Sequence, residues 1–181
     1  MAGRRGRSVA AAGGPARRGV RSAYDRRVSL FRVTRRTPLP PAEVWRRLTD
    51  WPAHGAQVPL TRTRVLTPDP SGPGTRFTAR TGVGPLAFDD PMEVVRWKPP
   101  GEGPDAAGVC RLRKHGRVVT GWAEFEVRAE PGGGTLVVWT EEIGVRGVPR
   151  AAGPVLGGAG RFVFGRALDG LLAHRPGRDT R

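Results

Sequence analysis

The stretch TPLPPAEVWRRLTDWP, from Thr37 to Pro52, limits what this chain can become. Pro41 fits the first helical turn, where its missing N–H would be unbonded in any case, and Glu43 favours the positive end of the helix. Val44, Trp45 and Leu48 fall at i, i+1 and i+4, enough for one apolar face on a short helix. Asp50-Trp51-Pro52 stops it, because the residue before a proline is pushed out of the α region. A β-branched, alternating run precedes this helix and a long series of such runs follows.

Val28 to Arg36 reads as the first strand. After the helix, Trp51 to Leu60 is a turn-rich connector holding a second short helical turn. Thr61 to Val65 alternates threonine and valine against arginine, and Pro68 to Gly74 is a hairpin loop by composition. Thr75 to Thr81 alternates again, with Phe77 and Ala79 inside and Arg76, Thr78 and Arg80 outside. The next run, LAFDDPMEVVRW, puts Phe88, Asp90, Met92 and Val94 on one side, and Pro91 within it demands an edge or a bulge. Val109 to Lys114, Arg117 to Arg128 and Thr135 to Ile143 complete about seven strands at hairpin spacing, which implies an antiparallel sheet.

The end of the chain changes period. Between Ala152 and Ala173, Leu156, Val163, Ala167 and Leu171, with Phe162, Leu168 and Leu172, recur at three- and four-residue steps, the pattern of one long amphipathic helix. Gly157, Gly158, Gly160, Gly165 and Gly170 lie within it, each costing roughly 1 kcal/mol against alanine. Such glycines imply close packing, or room left beside the helix, or both.

Four segments carry a family resemblance: PPAEVWRRLTDWP at Pro40 to Pro52, PGTRF at Pro73 to Phe77, GPLAFDDPMEV at Gly84 to Val94, and GGTLVVWTE at Gly133 to Glu141. With the order of elements, they make the chain from about Val28 to His174 resemble the START-like (SRPBCC) superfamily. That superfamily includes polyketide cyclases, aromatases and lipid-transfer proteins, and the nearest resemblance is to cyclase-like actinobacterial members. The resemblance implies an α+β helix-grip fold: a seven-stranded curved antiparallel sheet wrapped around a long C-terminal helix, with two short helices after the first strand. It also implies an apolar cavity between sheet and helix, but no single chemistry.

The chain has 31 Lys+Arg against 16 Asp+Glu, a net charge of +15, and only Lys98 and Lys114 of the basic residues are lysines. Its 27 glycines and 18 prolines suggest the codon bias of a GC-rich genome, which discounts the arginines as a functional signal. Residues 1–27 hold eight arginines against Asp25 alone and read as a disordered tail, because so little apolar surface cannot offset the ordering entropy. Such an arm suits weak contact with nucleic acid or an anionic membrane. A solvated tail, a start codon placed too early and a twin-arginine signal are the other readings of this segment. The domain is then expected over 28–175, with a second disordered end at 176–181. No run approaches the roughly 18 apolar residues of a membrane span. The single Cys110 excludes an internal disulfide, and a cytoplasmic location is expected.

The chemistry is sparsely marked. His54, His115 and His174 have no metal-ligand spacing, one cysteine cannot build a structural zinc site, and no nucleotide or hydrolase motif occurs, so neither a metal nor a cofactor is expected. His115, beside Lys114 at a turn, reads as solvated. Asp90 shares a strand face with Phe88, Met92 and Val94; in an apolar cavity it would orient a ligand hydroxyl or act as acid or base, unless a bulge at Pro91 turns it out. Of Glu141 and Glu142 one must point inward. Trp51, Phe77, Phe88, Asp90, Met92, Phe125, Trp139 and Phe162 are the candidate lining, although most such aromatics are ordinary core in any fold. Aromatic walls with few polar groups suit a small hydrophobic, lipid-like or polyketide-like ligand. The expected function is binding of that ligand. The alternative is a cyclase or aromatase using the same cavity, with Asp90 or Glu141 as its catalyst.

Overall fold

The computed structural model describes residues 28–147 and 152–173. The arginine-rich segment, His174 and the C-terminal end expected from the sequence lie outside them. Strand β1 (Val28–Thr37) leads to helices α1 (Pro41–Leu48) and α2 (Trp51–Gln57). Six strands follow: β2 (Thr61–Val65), β3 (Arg76–Thr81), β4 (Phe88–Lys98), β5 (Ala107–His115), β6 (Val119–Ala129) and β7 (Thr135–Val145). Helix α3 (Gly153–Ala173) ends the described chain. No helix among these residues is long and apolar enough to cross a membrane.

The seven strands form one antiparallel sheet in the order β1-β7-β6-β5-β4-β3-β2. Hairpins join β2 through β7, and the first strand closes the far edge by pairing with the last. The stop signal at Asp50-Trp51-Pro52 is also a start signal. The Asp50 carboxylate accepts the Ala53 N–H at 3.2 Å and caps α2, whose first turn tolerates Pro52. Val44, Trp45 and Leu48 of α1 are buried as the periodicity predicts.

Helix α3 crosses the concave face against β1 and α2, and its glycines allow the approach. A Cβ at Gly160 would lie 2.7 Å from the Phe31 ring, and one at Gly170 would lie 1.8 Å from Gln57 Oε1. The Arg47 guanidinium donates to the Leu172 carbonyl at 2.6 Å, and Arg35 pairs with Asp169 at 2.6 Å, so both α1 and β1 hold the last turns of α3.

Pro91 lies at a local edge. It pairs with Thr78 on β3, but the β4–β5 ladder begins only at Met92, so no bond is asked of its missing N–H on the other side. The bulge falls further on, at Val95, between the paired Val94 and Arg96. Asp90 therefore keeps the inward direction set by its strand.

Candidate functional site

One half of the concave face is packed solid. Trp45 and Trp97 meet edge to face at 5.1 Å, Trp51 stacks on Phe77 at 4.5 Å, and Phe125 lies between Trp45 and Trp139 at 5.5 and 5.6 Å. With Val44, Leu48 and Val94, these aromatics fill the end of the sheet beneath α1.

The other half holds a cavity of about 260 Å³. Phe77, Ala79 and Thr81 of β3, Phe88, Asp90 and Met92 of β4, and Leu112 and Lys114 of β5 form one wall. Trp139, Glu141 and Ile143 of β7 continue it, and Leu156, Val163, Phe164 and Leu168 of α3 close it from above. His54 of α2 contributes a ring between Trp51 and Trp139, at 5.8 and 6.0 Å. Its Nε2–H donates to the Leu48 carbonyl at 2.9 Å, and burial holds its pKa below the usual histidine value.

Three charged side chains break this apolar lining. Lys114 Nζ donates to Asp90 Oδ2 at 2.7 Å and stands 3.2 Å from Glu141 Oε1, and the Trp139 indole N–H donates to Glu141 Oε2 at 2.9 Å. The arrangement follows from strand register. Lys114 faces Gly121 on β6, and Ala123 on β6 faces Glu141 on β7, so the strand between lysine and glutamate carries only small residues there. Strands spaced roughly 4.8 Å apart put β5 and β7 about 10 Å from each other, a gap that two long side chains span only over such a trough. Glu141 is wholly buried, and Asp90 and Lys114 are each 8% exposed. Burial pushes the Glu141 pKa up, and the lysine and the indole only partly oppose it. For Lys114 burial works against the charge, but Glu141 and Asp90 outweigh it and hold the ammonium above its usual range.

Three solved structures share this architecture at low sequence identity. Ara h 8.0201 is 12% identical with a TM-score of 0.53, covering 81% of this chain and 99% of that one. The Zhui aromatase/cyclase from Streptomyces sp. R1128 is 14% identical with a TM-score of 0.57, covering 81% and 92%. TTHA0849 from Thermus thermophilus is 18% identical with a TM-score of 0.59, covering 79% and 94%. This is a helix-grip protein. No family model and no curated protein matches its sequence.

The helix-grip cavity gathers five of the expected lining residues, Phe77, Phe88, Asp90, Met92 and Trp139, together with Glu141. Three expected residues do not line it. Trp51 and Phe125 face inward but belong to the packed half, where Trp51 donates its indole N–H to the Pro70 carbonyl at 3.0 Å. Phe162 is 67% exposed on the outer side of α3, and Phe164 takes its place in the cavity, 5.9 Å from the Trp139 ring. Glu141 points in and Glu142 out, as the β7 alternation requires. His115 is exposed, 3.4 Å from Glu93.

Sequence reasoning missed His54 and Lys114. The signal for Lys114 was present, since Cys110, Leu112 and Lys114 stand at alternate positions of one strand and share its inner face.

Proposed function

We propose that this helix-grip protein binds a small hydrophobic ligand in the cavity between its sheet and α3, without transforming it. The observation that carries this reading is the cavity of about 260 Å³, walled by aromatic and aliphatic side chains around one polar cluster. Apolar walls with a few convergent polar groups are the general form of a small-molecule site. Leu60, Val83 and Leu86, all exposed, stand on the loops flanking Thr61, Thr81 and Phe88 at the same end of the sheet, an apolar approach for such a ligand. Native mass spectrometry of the purified protein, followed by denaturing extraction, tests the proposal. A retained apolar molecule is the expected result. A protein that is empty and also fails to take up Nile red would overturn it.

A second reading is favoured by one observation, a buried glutamate with a raised pKa held beside a charged lysine. Asp90 would then take an α proton from a poly-β-ketone, Lys114 would stabilise the resulting enolate, and Glu141 would protonate the attacked carbonyl oxygen, which leaves as water after intramolecular aldol closure, as in a cyclase or aromatase. Under this reading the wild-type protein converts an acyclic poly-β-ketone thioester to a product lighter by one water, and Glu141→Gln does not. Equal conversion by both proteins, or by neither, removes Glu141 as catalyst.

A further inference from the structure

We infer that the polar cluster of this cavity selects an apolar ligand bearing a hydrogen-bond donor, a hydroxyl or an amine, and rejects one bearing a carboxylate. The inference rests on the ligand-binding reading above and adds the chemistry of the recognised group.

It follows from matching donors to acceptors. The Lys114 ammonium has three donors. One goes to Asp90 Oδ2, and its other neighbours are Glu141 Oε1 at 3.2 Å and Met92 Sδ at 3.8 Å. The Trp139 indole takes Glu141 Oε2. Asp90 Oδ1 is buried and accepts no hydrogen bond, and Glu141 Oε1, equally buried, has only the lysine beside it at 3.2 Å. Buried carboxylate oxygens without a donor are rare and costly. Even with every lysine N–H engaged, four donors, three on Lys114 and one on Trp139, face roughly eight acceptor sites on two carboxylates, so acceptors are in excess.

Of the remaining polar groups among the described lining residues, Thr63 alone leaves a donor unassigned, and it stands two strands from Asp90 across Ala79, roughly 10 Å at ordinary strand spacing. The Thr61 and Thr81 hydroxyls bond each other at 2.9 Å, and His54 spends its Nε2–H on Leu48, which leaves Nδ1 as a further acceptor. Lys114 is the one cation of the lining among the described residues, and it is committed to two carboxylates. A ligand carboxylate entering here would lose its water and meet two carboxyl groups that already share the single ammonium. A hydroxyl or ammonium would add a donor to a cluster in which acceptors are in excess. Asp90, whose side chain retains 11% exposure while Glu141 retains none, is the group the ligand touches.

Fluorescence titration of the full chain with four probes of nearly one shape tests this: naphthol, naphthylmethylamine, naphthalene and naphthoate. A hydrogen bond to a charged acceptor makes the better of the two donor probes bind about tenfold or more tightly than naphthalene. Naphthoate is expected to bind more weakly than naphthalene. Whichever donor probe leads identifies the recognised group as a neutral hydroxyl or a cationic amine. Donor probes no tighter than naphthalene, or naphthoate as tight as either, would overturn the inference and leave the cavity reading standing. Failure of all four to bind would overturn both. In Asp90→Asn, checked for folding by circular dichroism, the donor preference is expected to fall below about threefold. A preference unchanged in that folded variant would remove Asp90 as the contact, and the wild-type series decides the rest if the variant does not fold.

Discussion

Lys114 and Glu141 meet at 3.2 Å although their strands are not neighbours. The contact passes over β6 where Gly121 and Ala123 leave a trough, so the charge cluster depends on residues that carry no charge. The basic partner is a lysine in a chain whose basic residues are otherwise nearly all arginine. A compact ammonium can aim at two carboxylates on different strands, whereas a planar guanidinium favours one of them in a two-point grip.

Lys114→Met is expected to destabilise the fold by about 3–5 kcal/mol, because it strands two buried carboxylates without a counter-charge. Adding Asp90→Asn and Glu141→Gln to that variant should recover most of the loss. Urea denaturation of the single and triple variants provides the check. Equal midpoints for Lys114→Met and the wild type would contradict the burial of this charge.

The raised pKa of Glu141 gives stability a definite sign with pH. The folded state holds this proton more tightly than the unfolded chain does. Its contribution is therefore complete below the ordinary value of 4.5 and is lost as pH rises through the folded value. Glu141→Gln imitates the protonated carboxyl at every pH. Thermal melts should show the variant gaining on the wild type as pH climbs above that ordinary value, and a constant gap would argue against the shift. His54 acts in the opposite sense, its lowered pKa giving a contribution that is full above 6.5 and lost as pH falls through the folded value.

Gly121→Ala tests the trough. The residue has φ of +127°, and a Cβ there would lie 1.9 Å from the Glu142 carbonyl oxygen. Strain of this kind costs on the order of 1–3 kcal/mol, and the backbone shift that relieves it moves β7 at Glu141. Chemical denaturation should register the loss. A variant as stable as the wild type would show that the strand relaxes freely at this position.

Much of this could be read from the residues before any coordinates. Alternation on β3 and β4 gave the inward direction of Phe77, Phe88, Asp90 and Met92, because a period of two leaves only one way to bury an apolar face. Lys114 escaped notice because it closes its strand beside the His115-Gly116 turn, where a charged residue reads as solvated, and a local pattern does not show acidic partners 24 and 27 positions away. Trp51 and Phe125 face inward as their patterns require. Whether an inward aromatic fills space or borders a void depends on what stands opposite, which α1 decides here.

The exchange of Phe162 for Phe164 has a local cause. Five glycines blur the apolar stripe of α3, and Phe162 can be aligned with one set of neighbours as readily as Phe164 with Leu168 and Leu171 at i+4 and i+7. Phe162→Ala should change stability by no more than about 0.5 kcal/mol. Phe164→Ala, which removes a ring packed on Phe31 at 5.6 Å and Trp139 at 5.9 Å, should cost about 2–3 kcal/mol and enlarge the cavity. Matched denaturation curves for the two variants decide between the faces.

The pairing of β1 with β7 carries a consequence for how the protein is made. Val28 finds its partner Gly144 only after the whole meander has left the ribosome, on the order of ten seconds later at ordinary rates of synthesis. Throughout that interval Phe31 and Val33 have no strand beside them and no helix above them. The earliest part of the fold to be synthesised is thus among the last to be protected, and the nascent chain is most vulnerable to aggregation there.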